Sequence, residues 1–332
     1  MKSKNKSCFL HIGAPKTGST ALQKFLAANR HVLTRLSWEY PDVALRGFGH
    51  HDLAFLVGEG YPEWALPQER TFDELLRDLM SLVAERARII ISSENFYLFP
   101  NPKGVAKMLK KAKFPRETVK VVVYVRRQDD ALVSWYNQVV KAQGYTGSIT
   151  EFIAANRDVW DYATRLEAWS DVFGRDNLIV RPYQIQDLVE GDIRRDFLWI
   201  AGLPPEDFDW SEGPTNTRIN RDLLEFQRLV NQLPLSPPEK RRFHNKLISL
   251  TSATAMMGLF DDSPLLTSSQ RRRIVSTYAD SNARVAKYYL DRHELFDESV
   301  SAEPERSKKQ KGLSVEKLIF ILGWILAQRS EK

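Results

Sequence analysis

The feature that most constrains this chain lies in residues 9–20, where a short apolar run meets a loop bounded by two glycines. Gly13 and Gly18 keep the spacing of the Gly-x-x-x-x-Gly-Lys-Ser/Thr loop of nucleoside triphosphate-binding proteins. Ser19 occupies the position of that loop's lysine, and Lys16 lies inside the loop instead. A strand, such a loop and a helix together predict an anion site, because backbone N–H groups and the positive end of the helix converge there. The moved lysine argues against ATP hydrolysis.

Apolar runs alternate with helical patterns through the first half of the chain. Near-continuous apolar runs are typical of buried strands in a parallel sheet, and they predict strands over residues 8–12, 88–92 and 119–125, with an edge strand over 177–180. Helical periodicity predicts helices over 21–30, 72–85, 105–112 and 129–141, and a basic helix over 270–290. This order predicts an α/β fold, a doubly wound parallel sheet of the P-loop type flanked by helices, with a mostly helical C-terminal half.

Composition and length set the domain organisation. The chain has 332 residues, of which 43% are hydrophobic and 27% charged, as in ordinary globular proteins. We expect one α/β domain over residues 1–300, then a charged linker and a short apolar helix over residues 301–332. The apolar run at 318–326 is shorter than the roughly 20 residues that span a bilayer. It is open to three interpretations: packing against the domain, peripheral membrane contact helped by a basic flank and Trp324, or docking to a partner.

Charge and cysteine content narrow the function classes. The single Cys8 excludes an intramolecular disulfide and suits a reducing compartment, and no cysteine–histidine cluster has zinc spacing. The net charge of +6 is concentrated before Glu39, either as a solvated basic terminus or as a field that attracts a polyanionic small molecule. No basic helix alternates with aromatic residues, so nucleic acid is not expected as a partner. The first apolar run is too short for a secretion signal, so we expect a cytoplasmic protein, with a peripheral position at the inner face of the membrane as an option.

A second motif follows the strand predicted over residues 119–125. That strand ends in Arg126 and Arg127, and a helix carrying Ser134 begins directly afterwards. Ligands of open α/β sheets bind outside the carboxyl ends of the strands. Arg126 could donate two hydrogen bonds to a phosphate there and Ser134 could add a hydroxyl, although arginines at strand ends often form only salt bridges. Combined with the loop, the motif indicates a second phosphate site for the same ligand.

Together the two motifs resemble those of the sulfotransferase superfamily, which uses 3′-phosphoadenosine 5′-phosphosulfate (PAPS). In that family Arg126 and Ser134 would match the arginine and serine, eight positions apart, that bind the 3′-phosphate. The resemblance covers residues 8–140, and Ala21-Leu22 is more similar to the glycan-acting branch. It implies PAPS as co-substrate, no metal, and Lys16 as the group that stabilises the leaving phosphate. The family segment that binds the 5′-phosphosulfate is matched by Pro15, Lys16, Thr17, Gly18, Ser19 and Thr20.

Two kinds of residue are candidates for the catalytic base. Glu94 follows the strand at 88–92, in a position that resembles that of the catalytic histidine of phenol sulfotransferases. A carboxylate serves as a general base when burial raises its pKa, but Glu94 could also cap the next segment or pair with a lysine. The neighbouring His50 and His51 are the other option, since histidine titrates near neutral pH. We rank Glu94 first, and His51 slightly above His50.

The acceptor is less constrained by the sequence. A hydroxyl or amine of a saccharide or glycolipid is the first expectation and a small-molecule hydroxyl the second. Trp38, Tyr40, Tyr61 and Trp64 could stack on a sugar ring or pack in the core. A nucleotide kinase or ATPase, with Glu94 as a metal ligand, is the alternative enzyme. A non-catalytic glycan- or nucleotide-binding module on the same fold is the alternative outside enzymes.

Overall fold

Five parallel strands form one sheet in the computed structural model, which describes residues 6–58, 60–84, 86–211, 219–261, 263–297 and 313–327. Their order across the sheet is β2-β3-β1-β4-β5. The four predicted strands are confirmed, and the two-residue strand β2 was not predicted because it is too short to show a pattern. The strands are β1 (Ser7–His11), β2 (Trp38–Glu39), β3 (Arg88–Ser92), β4 (Val119–Val125) and β5 (Leu178–Pro182).

Helices fill most of the chain between and after the strands. The predicted helix over residues 270–290 is wrong as a single element, because it is interrupted at the buried Tyr278 and ends in a π-helical turn, Ala286–Leu290. The α-helices are α1 (Ser19–Ala28), α2 (Arg30–Arg35), α3 (His51–Val57), α4 (Phe72–Val83), α5 (Asn95–Leu98), α6 (Pro102–Lys111), α7 (Gln128–Ala142), α8 (Ile149–Ala155), α9 (Tyr162–Phe173), α10 (Ile193–Ala201), α11 (Arg221–Val230), α12 (Pro237–Thr254), α13 (Ser268–Thr277), α14 (Ala279–Val285) and α15 (Val315–Ala327).

Helix α4 shows how local sequence sets an element. Thr71 Oγ1 accepts from the Glu74 N–H, and the Glu74 carboxylate accepts from the Thr71 N–H at 2.7 Å, which is a capping box. Its apolar residues recur at helical spacing and are buried: Leu75, Leu76, Leu79 and Val83. The cap fixes where the helix begins and the apolar face fixes which side packs inward.

The sheet has helices on both faces, as the sequence predicted. Alternate residues of three strands, Phe9, Ile90, Val122 and Tyr124, point to one face, because successive strand side chains alternate. Helices α1, α2 and α10 cover that face with Leu22, Phe25, Leu26, Val32, Leu33, Phe197 and Leu198. Helix α9 packs against β4 and β5 outside this cluster. The doubly wound α/β fold is therefore confirmed.

Strand order places the carboxyl ends of the three inner strands together. Strand β1 lies between β3 and β4. The chain first goes to the edge strand β2, returns to β3 beside β1, and then crosses to β4 and β5 on the other side. His11 is in register with Ser92 of β3 and Val122 of β4. Such a switch point opens a crevice at the carboxyl edge, which is where α/β proteins bind ligands.

The chain divides into two compact units. The first unit comprises residues 1–131, 158–214 and 277–297 and contains the whole sheet. The second comprises residues 132–157, 215–276 and 298–332, and its described part is helical. The predicted linker at 301–312 lies outside the described residues, and α15 covers the predicted apolar run. Of the helices in the described ranges, none has the length and apolar character needed to cross a membrane.

Candidate active site

The loop between β1 and α1 has glycine at two positions that require it. Gly13 and Gly18 have positive φ angles of 108° and 81°. A Cβ on Gly13 would lie 3.0 Å from the Cα of Glu94, so a side chain there would collide with the next strand's end. Thr17 Oγ1 donates to the Ala14 carbonyl at 2.7 Å and closes the turn.

The same loop is hydrogen-bonded to the end of β4. The Ala14 N–H donates to the Tyr124 carbonyl at 2.7 Å, and the Tyr124 N–H donates to the Gly13 carbonyl at 2.6 Å. Pro15 and Thr17 are buried. The loop is therefore part of the sheet edge rather than a surface excursion, and its backbone is fixed before any ligand binds.

The first turn of α1 contains a buried hydroxyl that has no hydrogen-bond partner among the described residues. Helix α1 begins at Ser19, and no side chain caps it. The Ser19 hydroxyl is buried and makes no hydrogen bond to any described residue, while the next residue, Thr20, is exposed. A buried hydroxyl without a partner is costly, and a helix N-terminus attracts negative charge. Both observations fit an anion seated in front of Ser19.

Lys16 and Arg126 bring two positive charges to this place. Arg126 Nη1 donates to the Lys16 carbonyl at 3.1 Å. Burial lowers the pKa of Lys16 from its usual value, the nearby Glu94 carboxylate acts in the opposite direction, and Arg126 lowers it further. An anion bound between the two cations would restore the balance of charge. The structure thus places the predicted lysine beside the predicted phosphate arginine.

Tyr183 completes this side of the site. Its N–H donates to the Val125 carbonyl at 2.7 Å, which continues β5 past β4. The Arg126 guanidinium lies 5.9 Å from the centre of the Tyr183 ring, and a Cβ on Gly18 would lie 3.0 Å from the Tyr183 hydroxyl. Burial raises the pKa of Tyr183, so the phenol stays neutral. The ring therefore contacts both the loop and the arginine.

Arg127, which follows Arg126, forms a buried ion pair. Arg127 donates from Nε and Nη2 to the two carboxylate oxygens of Asp129, at 2.7 and 2.9 Å, and both residues are buried. This bidentate pair lies where α7 begins. Arg126, by contrast, is half-buried at the carboxyl edge.

Glu94 lies at the same edge as the loop. Its carboxylate Oε2 accepts from Gln23 Nε2 at 2.9 Å. Gln23 belongs to α1 and is 2% exposed, so the amide has little freedom to move. Glu94 is half-buried at the N-terminus of α5 and makes no side-chain capping bond there. The capping alternative is therefore not what the structure shows, and the carboxylate is near both Lys16 and the loop.

The two histidines differ in their surroundings. His50 is fully buried, accepts at Nδ1 from the Ser92 N–H at 3.2 Å, and has Nε2 3.0 Å from the Pro41 carbonyl. Burial lowers the pKa of His50 to about 3, so it is neutral and fully engaged. His51 begins α3 and is half-buried, with Nδ1 2.7 Å from Ser93 Oγ and 2.9 Å from the Asn95 amide nitrogen. His51 is thus the more accessible of the pair.

A buried polar chain links Glu94 to the middle of the sheet. Ser92 Oγ lies 2.7 Å from His11 Nδ1 and 3.3 Å from Gln23 Nε2. Burial lowers the pKa of His11 to about 4, and its Nε2 has no hydrogen-bond partner among the described residues. The chain therefore reaches the Glu94 carboxylate through neutral groups only.

Ser134 lies apart from the residues around the loop in the division of the chain into units. Ser134 is half-buried on α7, in the part of that helix that belongs to the second unit. Its pairing with Arg126 stays a prediction. Within the described ranges, no three His, Cys, Asp or Glu side chains come together as a metal site would require.

No model of a known protein family matches the chain. It is 28% identical over 205 residues to an uncharacterized protein of Archaeoglobus fulgidus, an alignment that covers 61% of this chain and 54% of the relative. The chain thus spans about half the length of the curated relative it matches. Neither comparison assigns an activity to it.

Two solved structures that are similar to the chain are described as sulfotransferases. A sulfotransferase from Alicyclobacillus acidocaldarius is 16% identical, with a TM-score of 0.45, over 91% of this chain and 100% of that one. The sulfotransferase domain from the curacin biosynthetic pathway is 15% identical, with a TM-score of 0.35, over 83% and 99%. With identities of 15–16% and TM-scores of 0.35–0.45, these structures show a similarity only, and no activity is inferred for the chain from them.

Sequence reasoning missed several residues around the loop. Gln23 and His11 carry no sequence signal, because their positions matter only once α1 and β3 meet. Trp38 and Tyr40 are buried in the core, whereas Trp64 is 46% exposed. Phe48 is 42% exposed and directly precedes Gly49, where a Cβ would lie 2.7 Å from His51 Nε2 and 2.9 Å from the Gln23 amide carbon.

Proposed function

We propose that this protein is a sulfotransferase that moves a sulfuryl group from PAPS to a hydroxyl or amine acceptor. The observation that carries the proposal is the buried, unpartnered Ser19 hydroxyl at the start of α1, with Lys16 and Arg126 beside it. A phosphosulfate fits these groups because they supply hydroxyl, backbone and cationic donors to one anion. Pro15, Thr17, Gly18 and Thr20 complete the loop that would hold it.

Lys16 has the position to stabilise the leaving phosphate. Sulfuryl transfer breaks the bond between sulfur and the phosphate oxygen and forms one between sulfur and the acceptor oxygen. Negative charge then grows on the phosphate, and a fixed ammonium in a partly buried site stabilises that charge. Positioning and electrostatics would supply most of the rate enhancement, as in phosphoryl transfer.

Glu94 has the position to take the proton that the acceptor loses. One of its oxygens is held by Gln23, which leaves the other for an acceptor hydroxyl. His51 is the second candidate, since its ring is half-buried nearby. His50 ranks below it, because both of its ring nitrogens already lie within hydrogen-bond distance of backbone groups. General base catalysis needs the base within hydrogen-bond reach of the proton.

Arg126 would bind the 3′-phosphate of PAPS, with Ser134 as its partner. A nucleotide with phosphates on both sides of its ribose needs a second cation apart from the loop lysine. Arg126 meets this need because its guanidinium lies at the carboxyl end of β4. The Tyr183 ring, which contacts the guanidinium, limits its motion.

A saccharide or glycolipid is the acceptor class that we propose first. Two aromatic rings are partly exposed and would stack on a sugar ring in this proposal: Phe48, which has Lys24 Nζ 5.5 Å from its centre, and Trp64, which also packs on Phe55. We propose a cytoplasmic protein that works with PAPS and an acceptor and uses neither metal nor nucleic acid. A panel of polysaccharides, glycolipids and small alcohols, assayed with labelled donor, would identify the acceptor.

Ligand-induced thermal stabilisation tests the donor class. At equal concentration, adenosine 3′,5′-bisphosphate should raise Tm more than ATP with magnesium does, since the stabilisation by a bound ligand grows with the logarithm of its concentration divided by Kd. Stabilisation by ATP–magnesium alone would instead favour a nucleotide kinase or ATPase.

Transfer of radiolabelled sulfate tests the chemistry. Lys16→Ala should abolish transfer, while Lys107→Ala, at an exposed lysine of α6, should leave it unchanged. Nucleotide binding without transfer to any acceptor would favour a non-catalytic binding module.

A further inference from the structure

Helix α15 leaves one apolar side uncovered. Its inner side packs on α12, where Ile321 and Ile325 are buried and Lys246 Nζ donates to the Ile325 carbonyl at 3.3 Å. The outer side carries four aliphatic residues spaced by four, three and four positions, which places them in one line along the helix. We call this line the α15 stripe; its members are Val315 (67% exposed), Ile319 (64%), Leu322 (50%) and Leu326 (58%).

The apolar surface continues beyond the helix. Phe320 of α15 contacts Phe260 with ring centres 6.0 Å apart. Shortly before Phe260, in the turn after α12, Met256 is 98% exposed and Met257 is 65% exposed. A monomeric protein rarely leaves so many large apolar side chains together in water unless they meet a partner. The second unit therefore has an interaction surface.

Charge indicates what this surface meets. Basic residues clearly outnumber acidic ones in the second unit, whereas acidic ones slightly outnumber basic ones in the first. In the described ranges of the second unit, twelve residues are lysine or arginine and six are aspartate or glutamate. Two copies of such a surface would repel each other, while an anionic surface would attract it.

We propose that the α15 stripe docks on the surface of a bilayer that contains anionic lipids. The stripe is about 17 Å long, so it can lie along the interface but cannot cross the hydrocarbon core. Aliphatic side chains enter the boundary of the acyl chains while lysines and arginines bind the headgroups. This surface lies in the second unit and is independent of the proposed sulfotransferase activity.

Vesicle co-sedimentation of the full chain tests the docking. Binding is expected to vesicles of phosphatidylcholine with about a third phosphatidylserine, to weaken as salt rises, and to be lost on pure phosphatidylcholine. The double variant I319D/L322D should lower binding at least tenfold. The matched control is L66D, since Leu66 is 82% exposed in the first unit; it should bind like the wild type. Circular dichroism and thermal unfolding would verify that each variant is folded.

Three outcomes would overturn the proposal. The first is that the folded double variant binds vesicles as well as the wild type does. The second is that the wild type binds neutral and anionic vesicles equally. The third is that the wild type binds no vesicles but is a dimer by light scattering, and that the double variant is a monomer. The last would assign the stripe to a second copy of this chain. Sulfate transfer to a soluble acceptor should be the same in wild type and double variant, so a failure here is distinct from a failure of the proposed function.

Discussion

Gln23 Nε2 donates a hydrogen bond to Glu94 Oε2 at 2.9 Å, and this contact joins the first helix to the end of the third strand. The same amide nitrogen lies 3.3 Å from Ser92 Oγ, so both of its protons have partners. Because Gln23 is almost fully buried, it fixes the orientation of the carboxylate toward the loop. Gln23 is therefore a positioning residue for Glu94 within the proposed mechanism.

Replacement of Gln23 tests this relationship. Gln23→Met keeps the length of the side chain and removes the donor, and hydrogen bonds to charged groups contribute about 1.5–3 kcal/mol. We expect kcat for sulfate transfer to fall by about tenfold or more, with the Kd for adenosine 3′,5′-bisphosphate unchanged and the acidic limb of the pH–rate profile moved to higher pH. Gln186→Met, at an exposed position of the same unit, is the control. An unchanged kcat and pH profile would show that Gln23 only fills space.

Two single variants test whether Glu94 or His51 is the catalytic base. A general base contributes about 10²–10⁴-fold, so Glu94→Gln should lower kcat within that range and leave nucleotide binding intact. His51→Asn should have a smaller effect, because the His51 ring is already engaged with Ser93 and Asn95. Single-turnover rates with labelled donor measure both. A larger loss in the histidine variant would transfer the role of base to His51.

Arg126 should discriminate between nucleotides. Arg126→Ala is expected to weaken binding of adenosine 3′,5′-bisphosphate by about tenfold to a hundredfold, because a charge-assisted contact to the 3′-phosphate is lost. Binding of adenosine 5′-phosphate should change much less. Titration calorimetry with both ligands measures the difference, and Arg116→Ala, at an exposed arginine, is the control. Equal losses for the two nucleotides would contradict a role in binding the 3′-phosphate.

The two buried histidines of the first unit, His11 and His50, should make folding stability depend on pH. Burial lowers the pKa of His50 to about 3 and that of His11 to about 4, whereas an unfolded chain binds the proton near pH 6.5. Below about pH 6.5 the unfolded state therefore holds more protons, and the free energy of unfolding should fall as the pH drops toward about 4. Each histidine contributes a slope of about 1.4 kcal/mol per pH unit.

Urea unfolding at several pH values between 7.5 and 4.5 measures this slope. His50→Asn keeps an acceptor for the Ser92 N–H and should reduce the slope by about one proton. His31→Gln, at an exposed position of α2, is the control and should leave the slope as it is. A wild-type stability that stays flat between pH 6.5 and 4.5 would show that the histidines are not held neutral by the fold.

Much of the fold follows from patterns that neighbouring residues set. The apolar runs gave β3 and β4 with the bounds that the structure has, and the two glycines marked the loop before α1. Strand β2 and helix α3 were not predicted from the sequence, because they are too short to show a clear hydrophobic pattern. His50 and His51 are neighbours in the sequence, but the ring of His50 is bonded to Ser92 and Pro41 whereas His51 begins α3, so only the tertiary structure separates the roles of the two rings.

By itself, the sequence determined the parallel α/β fold, the glycine-bracketed loop with Lys16 inside it, and the position of Arg126 at a strand end. These features depend on residues within one turn or one strand of each other. Only the tertiary structure decided that Gln23 holds Glu94, that His50 is sealed in the core, and that the Ser19 hydroxyl has no partner of its own. Each of these depends on segments that lie far apart along the chain, and sequence spacing carries no information about which buried groups meet across such distances.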